Sequence, residues 1–359
     1  MKIAISAAET SGDLLGGELL VALKKLNSDI TIEGLVGEKM AKNSKQLWNQ
    51  NRVNVMGFSE VLQKLPALLK LQKSIITHFS KQRPDVFIGV DAPDFNFKIE
   101  RKLRAQGIKT VHFISPSLWA WRASRVKKIK QSTDLMLCLF PFEVDFYQAN
   151  NQRAVFVGHP LASVLSPRKN HTQGKNILLL PGSRAAEVKR LLPEMLSAAA
   201  ILSKQDSALN FHLALANDTQ LKWAEDLAQM PLEISTGEAQ TQMQQADLAI
   251  VASGTATLEL ALIGVPMVVI YKLSGLSYFI ASRLIKSEFI SLPNVIAAKK
   301  LVPELVQNQA NGEQIAEQAR QILAADNSNL LAEFMNIYQQ LSVNSSSKSA
   351  RIIYDFINE

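Results

Sequence analysis

Residues 85–90, Asp85-Val86-Phe87-Ile88-Gly89-Val90, form a short continuous apolar run directly after Pro84. A strand with one face in water alternates apolar and polar residues. A run without alternation reads as a strand buried on both faces, the habit of parallel sheets. The run has company. Lys2–Ala7 reads as a strand, and Asp13–Leu26 carries apolar residues at helical spacing. Lys98–Gln106 is helical, Gly107 caps it, and Lys109–Ile114 returns as a strand; Asp134–Leu139 and Ala154–Val157 repeat the pattern. Parallel strands need a crossover, usually a helix, so this alternation predicts an α/β fold with helices on both faces of a parallel sheet.

A second alternating series begins after the polar, turn-rich stretch 166–176, the best linker candidate. It runs through strands at Ile177–Leu180, Asn210–Ala216, Leu248–Val251 and Met267–Tyr271, with helices at Glu187–Ser203, Leu221–Gln229 and Ala256–Leu262 between them. The tail from Gly312 to Glu359 reads as helical, broken by the polar stretch Val343–Ser349. The expected organisation is therefore two doubly wound, Rossmann-like domains, 1–165 and 166–340, facing an interdomain cleft at the carboxyl ends of their strands. A last helix, 341–359, crosses back to the first domain or exchanges between the subunits of a homodimer.

Charge divides along the same line. Residues 1–165 hold 23 Lys/Arg against 14 Asp/Glu, and residues 166–359 hold 16 against 18, so the first half carries the whole basic excess. Such a half suggests a polyanionic partner (nucleic acid, a phosphorylated ligand or anionic lipid), with plain solvated surface as the alternative. The single cysteine, Cys138, admits no internal disulfide, and no Cys/His cluster has zinc spacing, which points to a reducing cytoplasm. Glu9 stops the first apolar run too early for a signal peptide, and Gly254, Glu259, Gly264 and Pro266 interrupt the most apolar segment, Leu248–Ile270. No transmembrane helix is expected.

Several turns carry chemistry. Pro181-Gly182-Ser183-Arg184 follows a strand and opens a helix, where N–H groups lack intrahelical partners and the helix dipole is positive. Gly182 permits close approach and Arg184 can fork onto two phosphate oxygens, so the turn suits phosphate; a loop salt bridge is the alternative. Ser253-Gly254-Thr255 is a second such turn, with Glu259 one helical turn on, where a carboxylate can accept both hydroxyls of a ribose. Simple N-capping would also explain it. Two such turns in one domain suggest a nucleoside diphosphate.

In the first half, Ala8-Glu9-Thr10-Ser11-Gly12-Asp13 follows the first strand and lacks a dinucleotide fingerprint. In Val90-Asp91-Ala92-Pro93-Asp94-Phe95-Asn96, Pro93 biases Ala92 toward extended geometry. Asp94 reads as a helix cap and Asp91, nearer the strand end, as the general-base candidate. Ser115-Pro116-Ser117-Leu118-Trp119-Ala120-Trp121-Arg122 offers tryptophans beside cations, either a sugar, acyl or base-stacking platform or core residues beside an exposed basic helix. Phe58, Val61, Leu62, Leu65, Leu68, Leu69, Ile75 and Ile76 recur at helical spacing among lysines, with Pro66 expected to kink or split the segment. That stripe is a core-facing helix or an interfacial one. No DxD carboxylate pair suggests a metal on a diphosphate.

Taken in order, Ala8–Asp13, Val90–Asn96, Ser115–Arg122, Phe140–Glu143, Val157–Pro160, Pro181–Arg184, Ser253–Glu259 and Ser291–Asn294 resemble the bacterial lipid-A-disaccharide synthase family over nearly the whole chain. The linker before Ile177 is shorter than that family's usual spacing. The resemblance implies a GT-B glycosyltransferase, independent of metal and cofactor, peripheral on the cytoplasmic face of the inner membrane. It would join UDP-2,3-diacylglucosamine to 2,3-diacylglucosamine 1-phosphate through a β(1→6) bond and release UDP.

On that basis Asp91 takes the proton of the acceptor 6-hydroxyl. Arg184, with Ser183, Ser253, Gly254 and Thr255, stabilises the departing diphosphate. Glu259 holds the ribose, and Asn294 is a phosphate contact or supports one. Glu9, Ser11, Asp94, His112, Trp119 and Arg122 become acceptor-side candidates, and Val61, Leu62, Leu65, Leu68 and Leu69 a membrane patch. The rival readings are a UDP-sugar epimerase on the same fold and a non-catalytic basic adaptor for membrane or nucleic acid.

Overall fold

The computed structural model describes the chain except residues 54–57, 117–125, 169–173, 229–230 and 276–286. Spatial contacts divide it into two units, Met1–Ser163 with Leu341–Glu359, and Val164–Gln340.

The first unit is built on β1 (Lys2–Ala7), α1 (Thr10–Leu26), β2 (Thr31–Val36), β3 (Lys45–Asn49), α2 (Phe58–Gln82), β4 (Val86–Val90), α3 (Pro93–Arg104), β5 (Lys109–Phe113), α4 (Val126–Lys130), β6 (Leu135–Cys138), α5 (Pro141–Gln148) and β7 (Ala154–Phe156). Its seven strands lie in the order β3-β2-β1-β4-β5-β6-β7. Every pairing is parallel, with Ile3 beside Val86 and Ala7 beside Val90. All five residues of β4 are buried, as an apolar run with no alternation requires. One core, including Ile5, Leu19, Leu23, Ile88 and Val111, lies under α1; another, including Leu71, Ile75, Phe79 and Phe87, lies under α2 and α3.

The second unit comprises β8 (Asn176–Leu180), α6 (Ala185–Gln205), β9 (Asn210–Leu215), α7 (Leu221–Leu227), β10 (Glu233–Thr236), α8 (Ala239–Gln245), β11 (Leu248–Ala252), α9 (Thr255–Ile263), β12 (Met267–Tyr271), α10 (Leu292–Ala297), β13 (Glu304–Val306) and α11 (Gly312–Ala324). Its sheet runs β10-β9-β8-β11-β12-β13, again wholly parallel. Both sheets therefore reverse strand order at the first strand of their unit, between β1 and β4 and between β8 and β11. In open α/β sheets ligands bind at the carboxyl ends beside that switch point.

Several expectations are corrected. Helix α2 runs unbroken through Pro66. Its second half is anchored in the core by Leu71, Ile75 and Phe79, which outweighs one missing N–H. The stretch 166–176 is not all linker: Arg168 donates from its guanidinium to the carbonyls of Ala246 (2.6 Å) and Gly264 (3.2 Å), tying it into the second unit. After α12 (Ser328–Leu341), the serines expected to break the tail lie inside α13 (Ser345–Asn358). Asn344 caps that helix through the Ser347 N–H at 2.9 Å, and Ser345 and Ser349 are buried where the helix packs on α1. Ala92 is left-handed, with φ 44° and ψ 58°, rather than extended. Strands β2, β3, β10 and β13 escape sequence reading; the last three are short edge strands with little apolar signal.

Candidate active site

At the switch point of the first unit, the turn after β1 meets the end of β4. Gly12 packs so closely there that a Cβ would lie 3.1 Å from the Val90 carbonyl and 3.6 Å from the Asp91 Cβ. Ser11 Oγ donates to Asp91 Oδ2 at 3.1 Å. The main-chain N–H of Asp91 donates to the Phe113 carbonyl at 2.9 Å, fixing the residue against β5. Burial and the neighbouring Asp91 charge both push the Glu9 carboxyl above its usual range. Both causes favour the protonated form of Glu9.

Two other candidates on this unit, Asp94 and His112, behave differently. Asp94 is exposed in the first turn of α3, where a carboxylate favours the helix dipole, but Ala92 occupies the N-cap position. His112 is fully buried; its Nδ1 lies 2.6 Å from Glu100 Oε1 and its ring packs on Phe97 at a tilt of 36° with centroids 4.2 Å apart. It lies on β5 with its ring buried against α3 and presents no exposed atom to a ligand, which corrects its placement on the acceptor side. Gly89 makes room for this pair, since a Cβ there would fall on Glu100 Oε1. Burial pushes the Glu100 carboxyl up, against the pull of His112. Asp13, part of the same motif, spends its carboxylate on the N–H groups of Gly37 (2.8 Å), Lys39 (2.8 Å) and Met40 (3.2 Å) and is a structural clamp. Trp119 and Arg122 lie outside the described residues.

At the second switch point, one pocket of about 350 Å³ gathers Gly182, Ser183, Arg184, Glu187, Ser253, Gly254, Thr255 and Glu259. Gly182 takes φ +100°, a left-handed turn that glycine allows, and Arg184 is the N-cap of α6 with its side chain 80% exposed. Its Nη1 bonds Glu187 Oε1 at 2.8 Å, a partner one helical turn on that sequence reading missed. Across the pocket, Ser253 Oγ donates to the Ile290 carbonyl at 2.7 Å and Thr257 Oγ1 to the Gly254 carbonyl at 2.8 Å. Those bonds leave the Thr255 turn open. Burial pushes the Glu259 carboxyl up, and Gln240 Nε2, 3.4 Å from Oε2, pulls it back. An exposed cation, two helix N-termini and a half-buried carboxylate lining one pocket can hold an anion and a diol at once.

Asn294 is corrected. It is fully buried: its Oδ1 accepts from the N–H groups of Leu301 (2.7 Å) and Val302 (2.9 Å), and its Nδ2 donates to the Val302 carbonyl (3.0 Å) and Glu304 Oε1 (2.8 Å). With every donor and acceptor spent, it cannot reach phosphate. It holds the segment before β13 together with Glu304, which also accepts from the Ser291 hydroxyl at 2.6 Å. In the apolar stripe, Leu65 and Leu69 are 40% and 47% exposed, whereas Leu68 packs on the core under α2. The side chains of Val61 and Leu62 lie outside the described residues. Among the described residues no helix is long and apolar enough to cross a membrane.

Comparison with known proteins follows this geometry. A family model described as lipid-A-disaccharide synthetase matches residues 3–354. The lipid-A-disaccharide synthase of Idiomarina loihiensis is 40% identical over 372 residues, covering 99% of this chain and 98% of its own. Among solved structures, MurG of Acinetobacter baumannii superposes with a TM-score of 0.61 at 15% identity, over 99% of each chain. A UDP-GlcNAc 2-epimerase from Methanocaldococcus jannaschii, in complex with UDP-GlcNAc and UDP, gives 0.61 at 13% identity over the whole of both chains. At such identities those two likenesses are of fold alone.

Proposed function

The chain belongs to the lipid-A-disaccharide synthase family, and from that membership we propose that it performs the family's transfer through Asp91 and the pocket around Arg184. It is a glycosyltransferase of lipid A biosynthesis on a GT-B fold. The donor is UDP-2,3-diacylglucosamine and the acceptor 2,3-diacylglucosamine 1-phosphate. The acceptor 6-hydroxyl attacks the donor's anomeric carbon from the face opposite the nucleotide. Its proton goes to Asp91, the bond from that carbon to the diphosphate oxygen breaks, and the electron pair leaves with UDP. Arg184 and the N–H groups at Ser183 and Thr255 meet the charge that grows on the leaving diphosphate. Glu259 accepts the ribose hydroxyls.

What supports this reading most is the pocket at the second switch point, where an exposed arginine, two helix N-termini and a carboxylate converge. Ser11, whose hydroxyl donates to Asp91 Oδ2, would hold the base carboxylate, with the raised Glu9 carboxyl beside it. We further assign the exposed Leu65 and Leu69, with the basic excess of the first half, to an anionic bilayer surface at the cytoplasmic face of the inner membrane, where both acylated substrates reside.

The test is UDP release from the acylated donor with and without the acylated acceptor. Release that depends on acceptor is expected, and Arg184→Ala should weaken UDP binding by about tenfold or more, the worth of a charged hydrogen bond. Acceptor-independent release would favour an epimerase or hydrolase. No release, with tight polyanion binding, would favour an adaptor.

A further inference from the structure

Asp91 and Ala92 are consecutive non-glycine residues in the left-handed region, with φ of 53° and 44°. Ala92 also precedes Pro93, whose ring crowds a preceding residue that leaves the extended region. L residues keep such a conformation only where their surroundings over-determine it, and such positions concentrate at functional sites.

Beyond the Asp91 N–H bond to the Phe113 carbonyl, one side chain constrains this turn. Asn96, fully buried on the sheet-facing side of α3, donates from Nδ2 to the Asp91 carbonyl at 2.8 Å and lies 3.2 Å from the Val90 carbonyl and 3.3 Å from the Ser6 carbonyl. Its Oδ1 accepts from Ser6 Oγ at 2.7 Å, which fixes the orientation of the carboxamide. Its main-chain N–H donates to the Ala92 carbonyl at 3.0 Å. A single carboxamide thereby joins β1, the end of β4 and the first turns of α3. Only an amide can do so. An aspartate would set a carboxylate against three carbonyls, and an apolar residue would leave carbonyls and a buried hydroxyl unpaired.

We infer that Asn96 is the positioning residue for Asp91: it holds the left-handed Asp91–Ala92 turn and so aims the Asp91 carboxylate out of the sheet's carboxyl edge. This rests on the reading of Asp91 as general base. The carbonyl that Asn96 grips belongs to the residue whose side chain acts, so releasing it moves the carboxylate while leaving the second unit's pocket untouched.

The test measures acceptor-dependent UDP release and UDP binding on the full chain. Asp91→Asn is expected to lose at least 100-fold in kcat, within the range for removing a general base. Asn96→Ala is expected to lose about 10- to 100-fold in kcat, the cost of misplacing a reacting group by about an ångström, with donor KM and UDP Kd within about twofold of the parent. Adding Ala92→Gly to Asn96→Ala should recover about fivefold or more, because glycine adopts the left-handed turn without a clamp. A residue that merely filled space would give neither the split between kcat and KM nor the rescue. An Asn96→Ala protein with near-parental kcat, or one unrescued by Ala92→Gly, overturns the inference while Asp91→Asn is inactive. An active Asp91→Asn overturns the base assignment itself. Should Asn96→Ala fail to fold, Ser6→Ala removes only the bond that orients the amide: a kcat lowered about threefold or more supports the inference, and an unchanged kcat overturns it.

Discussion

Residues of one type serve different ends in this chain, and burial with partner count separates them. Arg184 is exposed at a helix start with one carboxylate partner, whereas Arg168 is spent on the carbonyls of Ala246 and Gly264. Asn294 and Asn96 are both buried and fully bonded, one at a loop before an edge strand and the other beneath a base candidate. Glu143 and His159 in the first unit make its stability depend on pH in opposite directions. Burial pushes the Glu143 carboxyl up to about 8, and burial pushes His159 down to about 4. Between about pH 4 and 6.5 the unfolded chain binds the histidine proton that the folded one refuses, so His159 makes stability rise with pH. Between about 4.5 and 8 the folded chain keeps the Glu143 proton that the unfolded one gives up, so Glu143 makes stability fall with pH. These two effects nearly cancel up to about pH 6.5, and above it Glu143 contributes a fall of about 1.4 kcal/mol per pH unit, with the raised Glu9 and Glu100 carboxyls acting in the same direction. Denaturant unfolding should therefore show the first unit losing about 2 kcal/mol from pH 6.5 to 8. Glu143→Gln, which can still accept from the Phe140 N–H, should flatten that slope; an equal slope in the variant would assign the loss to other groups.

Among the elements, α2 shows how one helix divides its faces. Leu71, Ile75 and Phe79 point into the core at intervals of four, and Leu68 joins them in part. Leu65 and Leu69, also four apart, face outward. Leu65→Ser with Leu69→Ser should improve solubility and change unfolding free energy by less than about 0.5 kcal/mol, as surface substitutions do. Ile75→Ser should cost about 3 kcal/mol or more, by cavity and an unpaired hydroxyl. A comparable loss in the double variant would mark the outer face as packed. The last helix, α13, is held at its end in a different way. Lys109 Nζ donates to the carbonyls of Phe356 (2.9 Å) and Ile357 (3.0 Å), and Arg153 grips Glu359 with bonds of 2.6 and 2.7 Å. A serine-rich run has little helical propensity of its own; Asn344 at its start and the buried face toward α1 make it a helix.

For the whole molecule, the proposed function pairs the basic excess of residues 1–165 with lipid substrates and an anionic bilayer. Binding to vesicles of anionic lipid should fall severalfold from 0.1 to 0.5 M salt as the Debye length shrinks from about 10 Å, and should be weaker on neutral vesicles. Binding indifferent to both would remove charge as its basis. Period and turn chemistry are local properties, so the sequence by itself determined the α/β class, the Pro181–Arg184 and Ser253–Glu259 turns, the place of Asp91 at a strand end, and the family those motifs resemble. Strand order is not local. Only pairing between segments some eighty residues apart sets β1 beside β4, and so Ser11 against Asp91. The tertiary structure likewise decided that His112 and Asn294 are buried and that Ala92 turns left-handed against its proline. Each outcome hangs on a partner in another element (Glu100 on α3 for His112, Glu304 on β13 for Asn294, and for the Ala92 turn Asn96, itself held by Ser6 on β1), and such hydrogen bonds outweigh the preference any residue type carries alone.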